Sequence, residues 1–205
     1  MMKFKRIIAG LSAIALSLSL SPVAFAATAS DQVNLQVNVN ENMTLACGAD
    51  VTINEGAPGI TAATPESAST TCTITTNDED GYDLSVINDF AAGTVLRNAN
   101  GTGANFEIAD YAGTIAAPTT WTGTGFGFSV YNAPDKEIAW GTGTTCHDAL
   151  NAYAAFPDAA TTITSTPDYS PTATTVDICY RVDVPSTQAS GLYTGSVTYT
   201  ATGIL

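Results

Sequence analysis

Positive charge is what this chain has least of. Six lysines and arginines stand against 19 aspartates and glutamates, and His147 is the single histidine. Three of the six, Lys3, Lys5 and Arg6, precede an uncharged apolar run from Ile7 to Leu20, followed by Ser21-Pro22-Val23-Ala24-Phe25-Ala26. That order of basic, apolar and small residues is a secretory signal, cleaved after Ala26, with Ala29 as a second candidate. A retained membrane anchor is disfavoured, because the run is shorter than the ~20 residues that cross a bilayer. Removing the signal leaves Arg97, Lys136 and Arg181 against all 19 acids, a formal charge of −16. Nucleic acid and anionic membrane surfaces are thereby excluded as partners, since both demand a basic patch.

Other absences narrow the chemistry. No second long apolar run follows the signal, so no membrane span is expected in the mature chain. Lipidation at Cys47 is excluded by the polar stretch that separates it from the apolar run. There is no Cys-x-x-Cys, and the lone histidine directly follows Cys146, which is not zinc spacing. No Gly-x-Ser-x-Gly elbow occurs, and no pair of acids stands out as a glycosidase dyad, so no catalytic residue is assigned. The Gly123–Gly127 stretch lacks the lysine and following helix of a phosphate cradle. No cofactor is expected beyond weakly held calcium, and the chain is read as a non-enzyme.

Four cysteines, Cys47, Cys72, Cys146 and Cys179, remain in the exported chain. An even count there implies disulfides, with three connectivities open. Pairing nearest neighbours, Cys47–Cys72 and Cys146–Cys179, is the expected arrangement, each bond contributing ~3–4 kcal/mol on chain-entropy grounds.

What is abundant is alternation. Val33, Leu35, Val37 and Val39 share one face of a stretch whose other face is Asn and Gln. Val176, Ile178, Tyr180, Val182 and Val184 do the same, as do Tyr193, Val197, Tyr199 and Ala201. Period two over such lengths marks half-buried antiparallel strands. Shorter candidates are 51–54, 71–75, 82–87, 105–109, 125–131, 137–140 and 161–165. Thirty-two threonines suit the wet face of a sheet. Residues 147–156 are the one candidate short helix, and 164–175, rich in Thr, Pro and Ser, a long surface loop. The predicted fold is all-β: a single antiparallel β-sandwich of seven to ten strands spanning residues 27–205 after the signal at 1–26.

Three sets of residues invite a binding function. Asp78, Glu79, Asp80 and Asp83 surround Gly81. EF-hand ligation fails, because Thr76 and Ile87 would occupy the first and twelfth positions. Asp80-Gly81 is instead expected to form a two-residue hairpin turn with the acids at a solvated tip, a looser cation site being the alternative. Trp121, Trp140 and Tyr131 are candidates for glycan stacking, although Phe126, Phe128 and Val130 alternate in a core pattern. Val33, Leu35, Val37 and Val39 could form a strand-addition arm that completes a neighbour's sheet. The competing expectation is that this arm pairs within its own fold, beside Tyr193–Ala201.

Several of these motifs together resemble a group of exported bacterial β-sandwich surface proteins. The hairpin-like Thr71–Val86 stretch is similar to their "TxxxxGYxLSV" pattern. The closing stretch from Pro185 to Tyr199 is similar to their last strand pair. The chain thus looks akin to the WxL-domain and spore-coat-U/pilin-like groups. The resemblance implies an immunoglobulin-like or pilin-like sandwich and a structural role at the bacterial cell surface, as a filament or coat subunit. Its partners would be other surface proteins, further copies of itself, or cell-wall glycan. Tyr199-Thr200-Ala201 stands where the WxL signature has Trp-x-Leu, so wall binding of that kind is not carried over.

Overall fold

The computed structural model describes residues 32, 34–54, 59–89 and 94–205. The expected export signal and Val33 lie outside the described residues. The chain divides into two units, Met1–Asn38 and Val39–Leu205, and every strand described below belongs to the second.

The protein is all-β, with antiparallel sheets. The largest holds β1 (Met43–Cys47), β2 (Glu66–Thr76), β10 (Thr174–Asp183) and β7 (Gly125–Asn132), in that order. A second has β12 (Val197–Gly203), β3 (Tyr82–Asn88) and β9 (Thr161–Thr166). A third pairs β11 (Tyr193–Thr194) with β4 (Thr94–Asn98) and β5 (Glu107–Ala109). Two short strands, β6 (Thr119–Thr120) and β8 (Ala152–Tyr153), complete the set.

The alternation read from sequence is the alternation of burial. In β3, Tyr82, Leu84 and Val86 are buried while Asp83, Ser85 and Ile87 are half-buried. In β10, Val176, Ile178, Tyr180 and Val182 face the same core. That core draws on the four-stranded sheet through Ile74, Phe128, Val130 and Ile178, and on the three-stranded sheet through Leu84, Val86 and Ile163. Its centre is aromatic. Phe128 stacks on Phe156 at 4.5 Å and lies 5.2 Å from Trp140, whose Nε1–H donates to Ile163 O at 3.1 Å. Burying an indole requires such a partner.

Strand β7 is buried on both faces for most of its length. Its outer side is covered by a smaller cluster of Tyr111, Cys146, Tyr153 and Cys179, with Trp121 and Tyr131 packed against it. Both expected disulfides are present: Cys47–Cys72 joins directly opposed residues of β1 and β2, and Cys146–Cys179 clasps the outer cluster.

Five local expectations are corrected. Residues 147–156 form turns and the short strand β8, not a helix, because Asp148 Oδ1 accepts from Leu150 N and Asn151 is drawn to Thr145 O. The 193–201 stretch breaks at Gly195-Ser196, so Tyr193 and Tyr199 lie in different sheets. Residues 51–54 form no strand, and 138–140 are a 3-10 turn. Residues 34–40, expected as a strand, belong to no strand ladder among the described residues.

Candidate functional site

The acidic stretch is not a hairpin. Strand β2 ends at Thr76 in the four-stranded sheet and β3 starts at Tyr82 in the three-stranded one, so residues 77–81 carry the chain between sheets. Gly81 does take the positive φ expected of it, 85°, and a Cβ there would run into Thr166 O. Asp78 is not at a solvated tip: it is only 6% exposed, with Oδ1 accepting from Asp80 N at 3.0 Å. Glu79 and Asp80 are exposed, and Asp83 is half-buried on β3 opposite Thr202. Asp78, Glu79 and Asp80 line one cleft beside Glu41, and Asp83 is not among its lining residues. Among the described residues, no three His, Cys, Asp or Glu side chains are grouped so as to hold a metal ion.

The aromatic residues do not form an exposed platform. Trp140 is 1% exposed and belongs to the core. Trp121 stacks on Tyr111 with ring centroids 4.3 Å apart and nearly parallel planes, and meets Tyr153 edge-on. The Arg181 guanidinium lies 5.4 Å from the Trp121 centroid, within cation–π range. Tyr131 is half-buried against the same cluster. Both tryptophans are spent on packing, Trp140 in the main core and Trp121 against the outer cluster.

The three basic side chains of the mature chain are engaged within it. Arg97 Nε meets Glu107 Oε1 at 3.5 Å, and Arg181 lies over the Trp121 and Tyr153 rings. Lys136 Nζ donates to Tyr131 O and Gly143 O at 3.0 and 2.7 Å, and desolvation lowers its pKa. The remaining charge at the surface is carboxylate. His147 is exposed in a turn between Cys146 and Asp148.

The feature that stands out is the segment before β1. Leu35, Val37 and Val39 are 87%, 88% and 76% exposed. Isolated exposed apolar residues are ordinary, but an alternating row on an unpaired backbone is not. Among the described residues, the ladders of Tyr193–Thr194 and Val197–Gly203 run to β4 and β3. The root of the segment is held by Asn77, a residue not singled out from sequence. Its Oδ1 accepts from Asn42 N at 2.6 Å, its Nδ2 donates to Asn40 O at 3.0 Å, and its own N–H donates to Asn42 O at 3.2 Å. An Asn placed just past the end of β2 was the only available signal.

Comparison with known proteins finds no family model, no curated protein and no solved structure that matches this chain.

Proposed function

We propose that this chain is a non-enzymatic structural protein of the bacterial cell surface, exported by its residue 1–26 signal and folded as one antiparallel β-sandwich. In this reading it is a filament or coat subunit that joins a neighbour through its N-terminal arm, Val33–Val39. The observation that carries the reading is the exposed alternating row Leu35, Val37 and Val39 on backbone that has no strand partner among the described residues. A strand-addition donor needs this arrangement: free main-chain hydrogen-bonding groups, and apolar side chains on one side only.

Two further features support it. Strands β1 and β12 are the end strands of their sheets and lie close to one another, and neither has a second ladder partner among the described residues. Neither edge strand contains a charged residue, and neither does the arm, in a chain dominated by acids. Copies that repel one another over most of their surface would meet where charge is missing. The two disulfides suit an oxidising compartment. Among the described residues no helix is long and apolar enough to cross a membrane.

Deleting Ala27–Asn40 tests the reading. The truncated chain is expected to fold, with both disulfides formed, and to remain monomeric under conditions in which the full mature chain polymerises. Polymers of the truncated chain in electron micrographs would refute the arm as donor.

A further inference from the structure

The arm leaves the body of the protein at Asn40–Asn42, and an acidic pair sits at that point. Asp78 is buried, yet its Oδ2 meets no hydrogen-bond donor. A buried carboxylate oxygen left in this way is costly unless a proton or another donor reaches it. The group beside it is Glu41. A Cβ built on Gly203 of β12 would overlap Asp78 Oδ2 and lie 3.9 Å from Glu41 Oε1. Glycine at this position therefore leaves the room in which two carboxyl oxygens from different segments approach one another. Both are acceptors when ionised, so only a protonated carboxyl can join them.

We propose that Glu41 and Asp78 form an acid-closed latch on the arm. With a proton on Glu41, its O–H donates to Asp78 Oδ2 and adds a side-chain clasp to the backbone grip of Asn77 on Asn40 and Asn42. When the proton leaves, two like charges face each other across the same gap and the root of the arm loosens.

The charge of Asp78, then the hydrogen bond to it, then slight desolvation all raise the Glu41 pKa above the ordinary glutamate range. A group with its folded pKa raised stabilises its contact fully below the unfolded pKa and loses that contribution as pH rises through the folded value. The latch is thus closed in acid and open toward neutrality. Glu79 and Asp80 line the same cleft, together with Asn77, Val39, Ile204 and Leu205, and no basic side chain is among the lining residues.

Control of assembly by this latch rests on the donor-arm reading above; the latch does not. Amide hydrogen exchange at residues 40–42 of the monomeric mature chain reads it directly, with wild type and Glu41→Gln compared in parallel from about pH 4 to pH 8. Glutamine keeps a donor for Asp78 and cannot ionise. Wild-type amides are expected to lose protection relative to Glu41→Gln by roughly threefold or more as pH rises, while β2 and β10 amides stay alike. Identical protection in the two proteins across the range overturns the latch, whatever the chain does as a polymer. Asp78→Asn, which removes the charge facing Glu41, is expected to abolish the same pH dependence, and its persistence in that variant counts equally against the proposal.

Discussion

Tyr180 Oη and Tyr199 Oη lie 2.9 Å apart, one on β10 of the four-stranded sheet and the other on β12 of the three-stranded sheet. This hydroxyl pair ties two sheets that share no ladder. Burial raises the pKa of both phenols, and Tyr199, half-buried overall with its hydroxyl turned inward, is raised further by the neighbouring Tyr180. The pair therefore stabilises the fold below the ordinary tyrosine range, near pH 10, and that contribution fades as pH rises beyond it. Tyr199→Phe is expected to cost about 1 kcal/mol in urea unfolding. A double-mutant cycle with Tyr180→Phe should show the second change costing less than the first. Full additivity would mean the hydroxyls do not interact.

Acidic pH should stabilise this protein in one identifiable way. Desolvation, and then the charge of Asp158, push the half-buried Asp110 carboxyl up to about 6. Its Oδ1 is buried without a hydrogen-bond partner. Because the folded pKa is raised, the favourable contribution is complete below the ordinary aspartate range and disappears as pH climbs through about 6. Asp110→Asn is expected to raise the melting temperature at pH 7.5 and leave it nearly unchanged at pH 4. An equal shift at both values would show that charge is not the cause.

The Cys146–Cys179 bond should matter most to the outer aromatic cluster. Replacing both cysteines with alanine is expected to cost about 3 kcal/mol. Trp121 packs on that cluster while Trp140 lies in the main core, so the two indoles report separately. In the double variant Trp121 emission should shift red at lower denaturant than Trp140 emission, with Trp121→Phe as the control. One coincident transition would place both tryptophans in one cooperative unit.

Val37→Asp probes the arm without touching the core, because the side chain is 88% exposed. Thermal stability of the monomer is expected to change by no more than about 0.5 kcal/mol, as for other surface positions. Polymerisation should be lost, since a carboxylate would have to be buried at the seam. A variant that assembles as well as wild type would show that the apolar row is not what docks.

Much of the fold was legible because period two is a local property. The inward faces of β3, β7 and β10 could be read residue by residue, and so could the disulfide partners, since each pair closes a moderate loop. The acidic turn misled for a physical reason. Two apolar strands flanking Asp-Gly look the same whether they pair as a hairpin or separate into two sheets. Only the register of β2 with β10, and of β3 with β9 and β12, distinguishes the cases.

Composition and order along the chain were enough to establish the all-β class, the scarcity of positive charge, the positive φ at Gly81 and the side of each long strand that faces inward. Each of these follows from a single residue's chemistry or from its nearest neighbours. Packing alone sank Asp78, drew Trp140 into the core and set Arg181 over the Trp121 ring. Those outcomes depend on segments far apart in sequence meeting in space, and no local pattern encodes which of them will meet.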